Sequence, residues 1–238
     1  MNVAFIGAGY VGLTWAAVLA DLGNKVFVVD IDEKKINKLK QGKAPFYEPQ
    51  LDNLVEKTVK NKTLIPTEEY KRAVTQSEII FIAVGTPLGE NRQADLSHLK
   101  SASKEIAKHL NNDYKIIVNK STAPPGTVKK ITKIINQENP KANFDIASCP
   151  EFLREGTAVS DTRNPDRVII GTNSCQAYEK LEKLHQPLTD NIIKTKPESA
   201  EIIKYASNAY LAMRIGFIDQ IASLCEQVEA DINQVIKG

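Results

Sequence analysis

Roughly the first four-fifths of the chain alternates two rhythms of apolar residues. Short β-branched runs at Val3–Ile6, Val26–Asp30, Ile79–Val84, Ile116–Asn119, Ile146–Ser148, Val168–Gly171 and Ile192–Ile193 predict strands. Amphipathic stretches between them predict helices: Val11–Leu22, Glu33–Leu39, Leu51–Lys60, Leu96–Leu110, Val128–Ile135 and Gln176–Leu184. Strand–helix alternation of this kind predicts an α/β fold, a doubly wound parallel sheet with helices on both faces. Gly and Pro gather at strand ends, in Gly85-Thr86-Pro87, Pro124-Pro125-Gly126 and Pro165-Asp166. The ligand crevice of an open α/β sheet lies outside the carboxyl ends of its strands. Functional chemistry is therefore expected in these loops.

The rhythm changes after Thr195. Pro197 suits a first helical turn, and Ile202, Ala206, Ala209, Met213, Phe217, Leu224 and Val228 form one stripe at helical spacing. A single helix from about Pro197 to about Glu229 would be close to 50 Å long. Leu211 and Ile215 lie on its other side, so both sides ask to be buried. The expected organisation is a first domain over 1–196 and, over 197–238, a long connecting helix that opens a central helical domain. An exposed two-faced apolar helix predicts a homodimer through residues 197–229.

Composition narrows the setting. At 238 residues, 42% hydrophobic and 25% charged, the chain matches ordinary globular proteins rather than disordered or collagen-like ones. Its longest apolar runs are strand-sized and too short to span a bilayer, and Met1-Asn2 leads straight into Val3 without the basic region of a signal peptide. A net charge of +2 gives no reason to expect nucleic acid or an anionic membrane as partner. Three widely spaced cysteines, Cys149, Cys175 and Cys225, with no C-x-x-C pair, argue for a reducing compartment and against a disulfide frame or a metal site. The expected location is the cytoplasm.

Five stretches carry candidate chemistry. Gly7-Ala8-Gly9-Tyr10-Val11-Gly12 follows the first predicted strand and opens the first helix. Gly7 would permit the tight turn, Gly9 would let backbone approach a pyrophosphate, and Gly12 would allow close helix–strand packing. The phosphates would sit at a helix N-terminus, where unpaired N–H groups favour negative charge. Asp30 closes the second predicted strand about 20 residues on, completing a Rossmann-type dinucleotide fingerprint. Its carboxylate would accept the ribose hydroxyls and repel a 2′-phosphate, so NAD is expected over NADP. Lys34 and Lys35 work against that choice, since either could approach such a phosphate. The bland alternative is a Gly-rich turn with a solvated Asp.

Val84-Gly85-Thr86-Pro87 and Lys120-Ser121-Thr122-Ala123-Pro124-Pro125-Gly126-Thr127 each end a predicted strand. Pro87 cannot continue a ladder, so the Thr86 hydroxyl is presented at the carboxyl edge. The pair would suit contacts to cofactor and substrate, although each alone reads equally as a plain turn. Ser148-Cys149-Pro150-Glu151-Phe152-Leu153-Arg154-Glu155-Gly156-Thr157-Ala158 places Glu151 and Glu155 four residues apart; if the segment is helical they share a face. They would then serve as general base or hydroxyl ligands, or simply favour a helix N-terminus. On the long helix, Lys204 and Asn208 lie one turn apart, opposite the main apolar stripe, as a solvated pair or as an ammonium and an amide for an oxyanion.

These motifs taken in order resemble the nucleotide-sugar 6-dehydrogenases, the UDP-glucose/GDP-mannose dehydrogenase family, over essentially the whole chain. The matching stretches include Tyr47-Glu48-Pro49, Val84-Gly85-Thr86-Pro87, Lys120-Ser121-Thr122, Pro150–Ala158, Pro165–Gly171 and Glu201–Tyr210. The resemblance implies oxidation of a sugar nucleotide's C6 alcohol to a carboxylate, with two NAD⁺ consumed in successive hydride transfers. It implies NAD contacts from Gly9, Tyr10, Val11, Asp30, Lys35, Thr86, Thr122 and Glu155, within a turn that includes Gly7 and Gly12. Glu151, Phe152, Leu153, Lys204 and Asn208 would border the sugar nucleotide. Lys204 and Asn208 would stabilise an alkoxide or oxyanion, Thr122 would help orient the water or acid, and Glu151 would be the base for thioester hydrolysis.

UDP-glucose is the substrate implied first, with GDP-mannose and UDP-N-acetylmannosamine as alternatives. The family's nucleophilic cysteine lies in a G-G-x-C-F-P-K-D stretch that this sequence does not contain. The expectation is a form without that segment and without the C-terminal nucleotide-binding domain, one that binds NAD with little complete turnover. A non-catalytic NAD-binding and dimerisation module is the rival. A β-hydroxy-acid dehydrogenase is a third reading, against which Pro150–Gly156 speaks.

Overall fold

The computed structural model describes residues 1–89 and 93–238. Strands β1 (Asn2–Ile6) and β2 (Lys25–Val29) flank helix α1 (Tyr10–Asp21), and α2 (Glu33–Lys40) and α3 (Leu51–Lys60) lead to β3 (Leu64–Thr67). Then come α4 (Tyr70–Gln76), β4 (Ile79–Ile82), α5 (Ser97–His109), β5 (Lys115–Asn119), α6 (Thr127–Glu138) and β6 (Phe144–Ser148). The remainder is α7 (Ala158–Arg163), β7 (Val168–Gly171), α8 (Cys175–His185), β8 (Ile192–Thr195), α9 (Pro197–Gln227) and α10 (Ile232–Lys237).

The strands form one eight-stranded sheet in the order β3-β2-β1-β4-β5-β6-β7-β8. Its first six positions carry the doubly wound dinucleotide-fold order, which reverses direction between β1 and β4. Alternate residues of each strand serve the two faces. Val3, Phe5, Val26, Val28, Phe81 and Val118 pack towards α1, while Ala4, Ile6, Phe27, Val29, Ile80 and Ile117 pack towards α5 and α6. Burial on both faces is why the sequence shows continuous apolar runs instead of alternation. Phe5 and Phe81 stack across β1 and β4 with ring centroids 4.6 Å apart.

The sheet departs from all-parallel at one place. β7 meets β6 through a single antiparallel pair, Ser148 with Gly171, and β8 then runs parallel to β7. Residues 168–170 consequently stand past the carboxyl end of β6 and wall that edge. β3, α4 and α7 were not anticipated. β3 is a four-residue edge strand interrupted by Pro66, a residue tolerated only because the edge needs no further ladder bond. α4 and α7 are helices of seven and six residues, too short to show a helical period.

The chain divides into two compact units, Met1–Glu201 and Ile202–Gly238. The first turn of α9 belongs with the first unit for a packing reason. A side chain at Gly171 would collide with Ala200, and the buried Glu201 carboxylate accepts hydrogen bonds from the Gly126 and Val128 amides, 2.6 and 2.8 Å, at the start of α6. The single helix expected to reach about Glu229 stops at Gln227. Glu229 adopts a left-handed φ of 56°, and the Ala230 amide reaches back to the Cys225 carbonyl at 2.9 Å, a Schellman-type stop. Asp231 then caps α10 by accepting from the Asn233 amide. Among the described residues no helix is long and apolar enough to cross a membrane.

Candidate functional site

The turn between β1 and α1 is built as its glycines require. Gly7 holds φ +109°, and a Cβ there would strike the Ala83 carbonyl. A Cβ on Gly12 would strike the Gly7 carbonyl and press on Ala83 Cβ at 3.1 Å. Gly9 is different, since a Cβ there would meet nothing within 4 Å. Its side of the turn is open space at the N-terminus of α1, which is the room a pyrophosphate needs to reach backbone N–H groups. Asp30 sits immediately after β2, one residue beyond the strand's end. Its Oδ2 accepts from the Ala8 amide at 2.7 Å and its Oδ1 from the Asp32 amide at 3.0 Å. The carboxylate is thereby fixed against the glycine turn. Lys35 Nζ lies 3.7 Å from Asp30 Oδ2, while the Lys34 amide is taken up by the Asp32 cap of α2. Val11 follows Tyr10 in the first turn of α1.

The next two strand-end loops are laced together. The Thr86 hydroxyl donates to the Thr122 carbonyl at 2.5 Å, and Ser121 Oγ donates to the Val84 carbonyl at 2.7 Å. Thr86 and Thr122 thus adjoin at the carboxyl ends of β4 and β5.

The segment from Cys149 to Thr157 is irregular, and the shared helical face expected for Glu151 and Glu155 does not form. Glu151 folds its own Oε2 onto the Leu153 amide at 2.7 Å, and Gly156 takes φ +87°, so the helix starts only at Ala158. Glu151 ends up buried and Glu155 exposed. The loop is locked from two directions. The Arg154 guanidinium donates to both oxygens of Asp161, 3.2 and 2.7 Å, and its hydrogen bonds hold that carboxyl below its usual range. Glu48, 5% exposed, accepts from Tyr10 Oη at 2.7 Å, the Gly156 amide at 3.0 Å and the Ala158 amide at 2.8 Å. Burial first, and then Glu48, raise the Tyr10 hydroxyl pKa.

A cavity of about 360 Å³ opens beside this loop, lined among others by Trp15, Lys120, Cys149, Glu151, Phe152, Leu153 and Arg167. Lys120 is 1% exposed; its ammonium lies 3.8 Å from the Trp15 ring centroid and 3.2 Å from the Cys149 carbonyl. The Arg167 guanidinium covers the Phe152 ring at 4.4 Å. The cavity therefore mixes aromatic and charged walls, which suits a polar ligand with flat or ring-shaped parts. Behind it lies His185, fully buried, with Nδ1 2.7 Å from the Leu181 carbonyl. Burial, then the Lys120 charge, push its imidazole down to about 3.

Sequence reasoning passed over Glu48 and Lys120 as site residues. Both stood inside matched motifs, Tyr47-Glu48-Pro49 and Lys120-Ser121-Thr122, and a charged residue fixed in such a phrase was the available signal. Lys204 and Asn208 lie in the second unit, one turn apart on α9; Lys204 is 7% exposed and Asn208 exposed. The apolar stripe of that helix stands in the open, with Met213 61% and Phe217 62% exposed.

Comparison with known proteins follows this geometry. The profile of the UDP-glucose/GDP-mannose dehydrogenase family, NAD binding domain, matches residues 1–189, and the profile of that family's central domain matches residues 198–238. The chain is 50% identical over 238 residues to UDP-glucose 6-dehydrogenase TuaD of Bacillus subtilis, covering 100% of this chain and 51% of that protein. It is 44% identical to UDP-glucose 6-dehydrogenase of Rhizobium meliloti, covering 100% of this chain and 56% of the relative. The chain thus spans about half the length of the curated relatives it matches. A solved GDP-mannose dehydrogenase from Pseudomonas aeruginosa superposes with a TM-score of 0.97 at 33% identity, covering 100% of this chain and 56% of that one. A UDP-glucose dehydrogenase from Pyrobaculum islandicum superposes with a TM-score of 0.95 at 32% identity, covering 99% and 55%. The glycine turn, the acidic residue after β2 and the profile matched across residues 1–189 agree: this chain belongs to the UDP-glucose/GDP-mannose dehydrogenase family, of which it carries the NAD-binding domain.

Proposed function

We propose that the chain serves the NAD-dependent oxidation of the C6 hydroxyl of UDP-glucose to the carboxylate of UDP-glucuronate, with the Gly7–Gly12 turn as cofactor cradle. The supporting observation is the open space at Gly9 facing the head of α1, with Asp30 fixed beside it. Bound NAD⁺ supplies the hydride acceptor. The residues of this chain then do the binding and orienting. Amides of the turn hold the pyrophosphate, Asp30 takes the ribose hydroxyls, and Lys35, Thr86, Thr122 and Glu155 complete the cofactor contacts. Glu151, Phe152 and Leu153 border the sugar nucleotide, with Glu151 as the base for the hydrolytic step and Thr122 orienting its water. Lys204 and Asn208 stabilise negative charge on the substrate oxygen.

The two-step oxidation needs a thiol to hold the aldehyde as a thiohemiacetal. Cys149 lines the cavity with its Sγ 3.8 Å from the Lys120 ammonium, but it is 0% exposed and so closed to a substrate. Cys175 opens α8, away from the Glu151 loop in sequence, and Cys225 is buried near the end of α9. The nucleophile is accordingly not assigned to any of the three.

UDP-glucose is favoured by the curated relatives, of which those named for UDP-glucose reach 50% identity; among solved structures a UDP-glucose enzyme at 32% and a GDP-mannose enzyme at 33% stand level. Residues 1–196 would form the dinucleotide domain and 197–238 the long connecting helix that opens a central helical domain, two copies pairing through residues 197–229. Calorimetry on the pure chain tests the reading. NAD⁺ should bind with NADP⁺ at least about tenfold weaker, and Asp30→Ala should lose most of that preference. Absence of NAD⁺ uptake by the folded chain overturns it.

A further inference from the structure

We infer that Glu48 is a positioning residue that couples the dinucleotide-binding turn to the Glu151–Ala158 loop, so that occupancy of one stiffens the other. The inference rests on the proposed NAD site. Three hydrogen bonds from two segments far apart in sequence converge on this one buried carboxylate. From α1 comes the Tyr10 hydroxyl at 2.7 Å, and from the loop come the amides of Gly156 at 3.0 Å and Ala158 at 2.8 Å. Each is a hydrogen bond to a charged acceptor in a low-dielectric setting, stronger than its neutral counterpart. Gly156 can aim its amide there because it holds φ +87°, a conformation that other residues rarely adopt.

Tyr10 makes the arrangement more than a latch. It is the first residue of α1, directly after Gly9, so its backbone moves with the turn that would grip the pyrophosphate. The Tyr10 ring lies against Phe46, centroids 5.6 Å apart, two residues from Glu48. Its hydroxyl has one proton and two acceptors within reach, Glu48 Oε2 at 2.7 Å and the Arg154 carbonyl at 3.1 Å. Both acceptors tie Tyr10 to the loop carrying Glu151, Phe152, Leu153 and Glu155. A ligand that fixes the head of α1 therefore fixes the loop through Tyr10 and Glu48, and by linkage a ligand on the loop tightens the turn by the same factor.

The test reads amide hydrogen exchange at Gly156 and Ala158 in the full 238-residue chain, with and without NAD⁺, beside calorimetric NAD⁺ affinity. In the wild type, saturation with NAD⁺ should slow both amides by about fivefold or more. Tyr10→Phe should keep the protection seen without NAD⁺, because Glu48 still accepts both amides, yet lose the further slowing. Glu48→Ala should lose both and bind NAD⁺ about tenfold more weakly, and Glu48→Gln, which keeps one acceptor oxygen, should recover part of each. A Tyr10→Phe chain that still shows the full NAD⁺-dependent slowing overturns the coupling, even if Glu48→Ala does not fold. So does a folded Glu48→Ala chain with wild-type affinity and slowing. Failure of the wild type to take up NAD⁺ removes the functional reading and this inference together. NAD⁺ uptake without any response at the two amides removes this inference alone.

Discussion

Gly9 and Gly12 sit three residues apart in one turn, and their surroundings make opposite demands. A methyl group on Gly12 has backbone on one side and Ala83 on the other, so Gly12→Ala forces the turn and α1 apart. The expected cost is about 3 kcal/mol, at the upper end of ordinary overpacking because the obstacle is a main-chain carbonyl. Gly9 precedes α1 with an extended backbone, φ −80° and ψ −172°, that alanine adopts readily, and its methyl would point into open space. Gly9→Ala should therefore change stability by less than about 1 kcal/mol yet weaken NAD⁺ binding sharply. Urea unfolding and calorimetry on the two variants separate the roles; equal losses of stability would contradict this account. His185 offers a test in pH. Its imidazole titrates at about 3 in the fold against an ordinary value of 6.5, so between these values the unfolded chain holds a proton that the folded one lacks. Its contribution is intact above pH 6.5 and falls by about 1.4 kcal/mol per unit as the pH drops towards 3. Between pH 7.5 and pH 5, urea unfolding of the wild type should lose about 2 kcal/mol more than that of His185→Phe.

At the scale of elements, α6 depends on a residue from another helix. Its first amides have no local side-chain cap, Gly126 being the N-cap, and Glu201 fills that place from α9. Glu201→Ala leaves two amides without their acceptor and should cost about 2 kcal/mol, read as a fall in melting temperature; an unchanged melting temperature would remove the cap from the account. Such a tertiary cap explains what sequence patterning could reach. Seven strands and the long helices were legible because each is a continuous apolar run or a sustained helical period. β3 was not, since Pro66 breaks a run of four. The stop of α9 was legible to within two residues, although Glu229 carries no glycine signal for its left-handed turn. The glycine turn and Asp30 were legible from spacing alone. The irregular course after Cys149 was not, for it is imposed by Glu48, about a hundred residues upstream, and by Glu151 folding onto its own backbone.

Across the whole molecule, the apolar residues divide unevenly. The first unit buries its large side chains on both faces of the sheet, whereas α9 leaves Ile202, Met213, Phe217 and Leu224 each more than half exposed. Single exposed apolar residues are ordinary, but a stripe of them along one helix is not, and the proposed pairing of two copies would cover it. Sedimentation should give twice the 26.3 kDa chain mass, and Met213→Glu with Phe217→Glu should return it to the single mass. A clean monomer at high concentration would rule out pairing through this helix. The cavity beside the Glu151 loop carries one further consequence. Trp15 is the chain's single tryptophan, and it lies in that wall with an ammonium group over its ring. Its emission, excited beyond the tyrosine band, is consequently a built-in gauge of that recess: any guest that enters, or any shift of the lysine, changes the surroundings of this one indole.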